Sequence, residues 1–106
     1  DARSAVVQKI GALAGRPAVQ ARDIFDLYLL SSQYNTGSGE RTGYIKPSLL
    51  TNAYERVFEV EFEQFRDTVV SYLSADDRSV YDNSRAWEDI RLKTANFIDE
   101  VRKSNA

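Results

Sequence analysis

The chain has 106 residues, enough for one apolar core and too few for two, so we predict a single domain over residues 1–106. It contains no cysteine and no histidine, which excludes disulfides, thiolate metal sites, and the usual zinc ligand and general base near neutral pH. Residues 1–46 carry six basic and four acidic groups (net +2), and residues 47–106 carry eight basic and twelve acidic groups (net −4). Neither half shows the concentrated basic stripe typical of nucleic-acid binding, which argues against a small DNA-binding domain.

Two features bear on location and completeness. No window approaches the roughly 20 apolar residues of a membrane span, and no signal sequence opens the chain. These features predict a cytoplasmic protein without membrane contact. The chain also lacks methionine and opens within a helical pattern, which favours a piece of a longer protein.

Two helices are predicted at the beginning of the chain. The first runs from about residue 3 to residue 14 and ends at Gly15, which can adopt a left-handed C-terminal cap without steric cost. The second begins between Pro17 and Ala21 and continues to residue 31 or 32, because proline is tolerated at a first helical position. Several of its apolar residues point in different directions, so it is predicted to be a central helix.

A long loop and four helical segments follow. Residues 33–46 contain three glycines and form the predicted loop, and Pro47 then opens a helix to residue 57. Residues 58–60 are expected to be extended, and 61–73 helical. Residues 75–81 form a short helical turn before a cap at Asn83 or Ser84. The last helix has a clear apolar face, made of Trp87, Ile90, Thr94, Phe97, Ile98 and Val101. The predicted fold is therefore an all-α bundle of about five helices with one long glycine-containing loop.

The first two helices carry the residues best suited to chemistry. Lys9 lies at the edge of the apolar stripe of the first helix, and Asp23 lies at a partly solvated border of the second. With Asp26 they could bind a nucleotide, the ammonium contacting phosphates and a carboxylate serving as a metal ligand, a proton acceptor or an orienting group. The alternative is a structural ion-pair network, in which Arg16 or Arg22 neutralises Asp23 without any further function.

Three other patterns resemble functional sites but have simpler explanations. Gly37, Ser38 and Gly39 suggest a phosphate-binding turn, yet no strand precedes them, so a flexible connector is favoured. Glu61 and Glu63, with Glu59, mimic a magnesium-binding acidic pair but are expected to open a helix, where the dipole favours acidic residues.

The aromatic residues form the third pattern. Tyr72, Tyr81 and Trp87 could make a base-stacking platform or a partner groove. Because Tyr72 and Trp87 lie on the apolar stripes of their helices, we expect them in the core instead.

The segment from Lys9 to Leu30 resembles a known family. Lys9–Leu13 (KIGAL) and residues 21–27 (ARDIFDL) are similar to the K-x-x-A-L and R-D-h-x-D-h segments of the AbiEii/AbiGii-type nucleotidyltransferase toxins of abortive-infection and type IV toxin-antitoxin systems. Residues 63–73 and 86–90 are similar to the helical tail of that family, so the resemblance covers most of the chain.

The resemblance implies a function and a set of site residues. In that family a catalytic half with a Gly-Ser or Gly-Gly-Thr turn and an Asp-x-Asp metal pair comes first, so this chain would be the C-terminal helical portion. Lys9 would contact the nucleotide phosphates and Asp23 would complete the active site as a catalytic residue, with Arg22 and Asp26 in support. The full-length protein would use Mg²⁺ to move a nucleotide from an NTP to an RNA or protein acceptor.

Two further expectations follow from the resemblance. The chain has no metal-binding pair of its own, so we expect no metal site and no cofactor in it, and no transfer by the chain alone. The other hypothesis is a free-standing helical interaction module that binds a protein such as an antitoxin.

Overall fold

The computed structural model describes residues 2–34 and 44–104. Within these ranges it contains helices and connecting segments but no strand, so the predicted all-α fold is confirmed. The six helices are α1 (Ala2–Gly15), α2 (Ala21–Ser31), α3 (Pro47–Val57), α4 (Phe62–Thr68), α5 (Ala75–Tyr81) and α6 (Ser84–Lys103), with a 3₁₀ turn at Val70–Tyr72. Of the predicted loop 33–46, residues 35–43 lie outside the described residues, and both described ends are non-helical.

The first three helices agree with the predicted bounds, except in how α1 ends. Pro47 occupies the first turn of α3, as expected. Gly15 is the last residue of α1, but its φ does not lie in the left-handed region, so the predicted left-handed cap is wrong. No basic residue lies in the last turn of α1. The carbonyl groups at this end are instead bonded by Arg56, which reaches over from α3.

The predicted helix over 61–73 is interrupted. Glu61 is the N-cap of α4, which ends at Thr68, and Val69 has non-helical angles of φ −123° and ψ −60°. The Thr68 hydroxyl donates to the Gln64 carbonyl at 2.6 Å, a local bond that competes with regular helix geometry. Because the chain turns here, Tyr72 leaves the apolar stripe and is 81% exposed, so its predicted core position is wrong.

Trp87 stands at the centre of the core, as predicted. It is fully buried, and its ring stacks on Phe65 at a centroid distance of 4.2 Å. The indole Nε1 donates to the Val60 carbonyl at 2.8 Å, and Arg91 Nη1 donates to the same oxygen at 3.1 Å. These two bonds fix the segment before α4 against α6. Each large apolar side chain buried in this way contributes roughly 1.5–3 kcal/mol. Residues 58–60 are not extended throughout as predicted, because Phe58 and Glu59 form a turn and Phe58 has the right-handed helical angles φ −88° and ψ 0°.

The packing of α1, α2, α3 and α6 places the candidate site at one side of the bundle. Helix α1 packs against both α2 and α3, and α6 packs against α2 and α3 from the other side. The buried face of α1 consists of Val6, Ile10 and Leu13, as its apolar stripe predicts. Lys9 lies at the edge of this face and therefore points along the α1–α2 contact.

None of the helices in the described part of the chain combines the length and the apolar content needed to cross a membrane.

Candidate functional site

The predicted site residues come together between α1 and α2. The ammonium of Lys9 lies 2.8 Å from Asp26 Oδ2 and 3.6 Å from Asp23 Oδ1. Arg16 and Arg22 join them, so we define these five residues, Lys9, Arg16, Arg22, Asp23 and Asp26, as the charge cluster. The structure therefore brings together Lys9 and the two aspartates that the sequence singled out, and Arg16 pairs with Asp23 as in the ion-pair alternative.

Asp23 is the buried centre of the charge cluster. Its side chain is only 1% exposed, so the predicted partly solvated border is wrong. The Arg16 guanidinium donates from Nε to Oδ2 at 2.6 Å and from Nη2 to Oδ1 at 3.5 Å. Lys9 and Arg16 therefore both pair with this buried carboxylate. A buried carboxylate requires such pairing, because the desolvation of an unpaired charge is costly.

Asp26 forms the outer part of the charge cluster. Arg22 donates from Nε to Asp26 Oδ1 at 3.1 Å along the same helix, and Arg22 is largely exposed. An ion pair of this kind, four residues apart on a helix surface, contributes only about 0.3–0.5 kcal/mol. Lys9 is 29% exposed and lies between the two aspartates. Its ammonium is therefore held in place on a side chain that is partly exposed.

The charge balance of the cluster favours an anion over a metal ion. Three cationic groups surround two carboxylates, which leaves a net charge of +1, and both carboxylates already contact ammonium or guanidinium groups. Within residues 2–34 and 44–104, no group of three or more histidine, cysteine, aspartate or glutamate side chains is arranged to hold a metal ion. The charge cluster does not fit Mg²⁺, whereas phosphate oxygens suit accessible lysine and arginine side chains.

Arg56 is a contributor to the site that the sequence pattern did not reveal. Its Nη1 lies 2.9 Å from the Leu13 carbonyl oxygen, 3.1 Å from that of Ala14 and 2.7 Å from that of Arg16. These bonds fasten the end of α1 to α3. The lack of a basic residue in the last turn of α1 is the signal that could have suggested a remote donor.

The acidic and glycine patterns do not add to the site. Glu61 occupies the N-cap position of α4 and Glu63 lies in its first turn, which confirms that these residues open a helix. Both line an open cavity of about 500 Å³ beside Arg85 and Arg91, away from the charge cluster. The motif Gly37–Ser38–Gly39 lies outside the described residues.

The three aromatic residues do not form a common platform. Trp87 is fully buried, Tyr81 is half-buried and Tyr72 is exposed. Tyr81 meets the Phe25 ring edge-on at 5.2 Å. Burial raises the pKa of the Tyr81 hydroxyl above 10.0, with smaller contributions from Tyr28 and Asp77. Tyr81 therefore completes the edge of the core.

Searches among protein-family models, curated proteins and solved structures find no match to the chain.

Proposed function

We propose that this chain is the helical portion of a nucleotidyltransferase similar to the AbiEii/AbiGii-type toxins, and that its charge cluster binds the phosphates of the incoming nucleotide. The observation that supports this most is the partly exposed Lys9 side chain, whose ammonium lies 2.8 Å from Asp26 in a cluster with a surplus positive charge. The residue pattern at Lys9–Leu13 and 21–27 supplies the resemblance to the family.

The residues of the charge cluster have distinct roles in this proposal. Lys9 contacts the phosphates, and the exposed guanidinium of Arg22 assists it from the neighbouring turn of α2. Asp26 holds both cations in place. Asp23 is buried and paired with Arg16, so it contributes by orienting Lys9 and Arg16 rather than by touching substrate.

The chemistry of transfer belongs to the N-terminal catalytic half that the resemblance implies. Magnesium ions held there would stabilise the charge of the transferring phosphoryl group. The residues of this chain bind and orient the nucleotide, and the acceptor is an RNA or a protein. A cytoplasmic location suits such substrates. The chain alone is then unable to transfer nucleotides.

The decisive test joins the chain to that catalytic half and compares Lys9→Ala with Lys93→Ala. Lys93 is a matched control, because it also pairs with an aspartate, Asp89, at 3.1 Å but lies on α6. Loss of the phosphate contact should lower kcat/KM for the nucleotide about 10²-fold in Lys9→Ala, while Lys93→Ala keeps the parent rate.

Two outcomes contradict the proposal. One is equal transfer activity in the Lys9→Ala and parent proteins. The other is a gene in which no upstream, in-frame segment encodes a Gly-Ser turn with an Asp-x-Asp pair.

A second candidate function, a helical module that binds a protein partner such as an antitoxin, is favoured by an exposed aromatic pair. Tyr54 and Phe58 meet edge-to-face at 5.8 Å near the end of α3, and each is more than a third exposed. Exposed aromatic residues are enriched where proteins bind one another. The product of a neighbouring gene should then bind the chain, and Tyr54→Ser with Phe58→Ser should abolish binding while Lys9→Ala preserves it.

A further inference from the structure

We infer that Arg56 is a positioning residue for the charge cluster, because it fixes the turn from Gly15 to Pro17 and so sets the Arg16 guanidinium against Asp23. Its importance for nucleotide binding depends on the proposed function, whereas its contacts do not. Arg56 touches neither of the two aspartates in the cluster and acts through Arg16.

The Arg56 side chain occupies the C-terminal end of α1. It is 19% exposed, and it reaches three carbonyl oxygens through Nη1 and that of Pro17 through Nη2 at 3.4 Å. Carbonyl groups in the last turn of a helix lack partners within the helix, and the helix dipole favours a cation there. Arg56 supplies both the donors and the charge.

These contacts hold the backbone of Arg16 from two sides. The Arg16 N–H donates to the Ala12 carbonyl at 3.1 Å, and its own carbonyl accepts from Arg56 at 2.7 Å. Since both peptide groups that flank the Arg16 Cα are fixed, the direction in which its side chain leaves the turn is also fixed. The side chain then reaches Asp23 at 2.6 Å.

The position of Arg16 determines where the Lys9 ammonium lies. With Oδ2 of Asp23 bonded to Arg16, Lys9 approaches Oδ1 only to 3.6 Å and lies closer to the more accessible Asp26. If the turn moved and Arg16 withdrew, the buried carboxylate would need another cation. Lys9 is already within 4 Å of it, so Lys9 would be drawn inward and away from a phosphate.

Arg56→Lys separates this role from a general contribution to stability. A lysine keeps the positive charge at the end of α1 but cannot reproduce the planar fork that spans several carbonyl groups. Arg91→Lys is the matched control, because Arg91 is also mostly buried and donates to a carbonyl, that of Val60, far from the cluster.

The measurement is the hydrogen-exchange rate of the Arg16 Nε–H, followed by NMR and compared with the free energy of unfolding from urea titration. In Arg56→Lys this exchange should be about tenfold faster than the loss of global stability alone explains. A factor of this size is expected when one charge-assisted hydrogen bond is weakened. In Arg91→Lys the exchange should follow global stability alone. Arg56→Gln, which keeps one NH₂ donor, should show the same selective effect.

The inference would be overturned if exchange of the Arg16 Nε–H accelerated equally in Arg56→Lys and Arg91→Lys. It would also be overturned if the acceleration in Arg56→Lys were no larger than the loss of global stability explains. In the protein joined to its catalytic half, Arg56→Lys should lower kcat/KM for the nucleotide, and Arg91→Lys should not. If Lys9→Ala reduces transfer but Arg56→Lys does not, the positioning role is wrong and the proposed function stands. If Lys9→Ala leaves transfer unchanged, the proposed function fails, and the Arg16 exchange rates still decide whether Arg56 positions the cluster.

Discussion

Asp23 and Asp26 lie three residues apart on α2, yet their surroundings differ sharply. Asp23 is buried and bonded to Arg16, whereas Asp26 lies nearer the surface and pairs with Arg22 and Lys9. Replacing Asp23 by Asn should lower the free energy of unfolding by about 2 kcal/mol, because it removes the charge from a buried, charge-assisted hydrogen bond. Asp26→Asn should cost less than about 0.5 kcal/mol. Urea unfolding at neutral pH measures both.

The comparison of these two variants distinguishes the contribution of the buried Asp23 ion pair from that of the more exposed Asp26 ion pairs. Salt provides the control, since about 1 M NaCl screens an exposed ion pair much more than a buried one. The effect of Asp23→Asn should therefore persist in salt. Equal losses of stability for the two variants would contradict the different burial of the two carboxylates.

Thr94 carries a buried polar group without an evident partner. Its side chain is fully buried on α6, and its hydroxyl oxygen makes no hydrogen bond within the described part of the chain. Thr94→Val should therefore raise the free energy of unfolding by about 1 kcal/mol, because an unsatisfied buried hydroxyl is replaced by a methyl group of similar shape. The exposed Thr51 on α3 is the control, and Thr51→Val should change stability by less than about 0.5 kcal/mol. A destabilised Thr94→Val protein would show that the hydroxyl is satisfied after all.

Helix α1 offers a prediction about an element as a whole. Gly11 lies in its interior, and a Cβ placed there meets no atom within 4 Å apart from its chain neighbours and the backbone of its own helix. Glycine in a helix interior costs about 0.5–1 kcal/mol relative to alanine, so Gly11→Ala should stabilise the chain by that amount. The adjacent Ala12→Gly should destabilise it similarly. Thermal unfolding followed by circular dichroism provides the measurement, and a destabilised Gly11→Ala variant would contradict the open space around this position.

Periodicity predicted some elements well and others badly, for identifiable reasons. In α6 the apolar residues recur over five turns, so the burial of Trp87, Ile98 and Val101 could be predicted. The pattern through Phe65 and Tyr72 was just as regular, but it did not reveal that the helix ends at Thr68. The break depends on the geometry at Val69 and on local hydroxyl bonds, and neither of these changes the spacing of apolar residues.

The candidate site was predictable only in part. Lys9, Asp23 and Asp26 lie on two helices joined by a short connection. Their spacing therefore predicted that they could contribute to one site. The burial of Asp23 was missed, because it arises from the packing of α2 against other helices, and the bond from Arg16 in the connecting turn neutralises the buried charge. Arg56 was missed because its carbonyl partners lie about 40 residues earlier in the chain. Contacts of this range arise from helix packing, on which the periodicity of a single helix carries no information.

At the scale of the whole molecule, the helices contribute unequally to the core. Helices α1, α2, α3, α4 and α6 all place side chains in one buried cluster, whereas α5 has no buried residue. Ser74 caps α5 by accepting from the Asp77 N–H at 3.2 Å, but little apolar area holds this helix on the bundle. Elements with few buried apolar contacts open at lower free energy than the core.

The difference in burial between α5 and the other helices predicts two events: cooperative unfolding of the whole core and local opening of α5. Trp87 is the only tryptophan of the chain and lies in the core, so its fluorescence reports the packing of α4 against α6. The fluorescence and far-ultraviolet circular dichroism transitions in urea should coincide, as for a cooperative single core. Amide hydrogens of α5 should nevertheless exchange at least about tenfold faster than those of α6, through local opening. If the amide hydrogens of α5 were as protected as those of α6, the short helix would be held by the whole core. If the fluorescence and circular dichroism transitions were separate, the bundle would contain more than one cooperative unit.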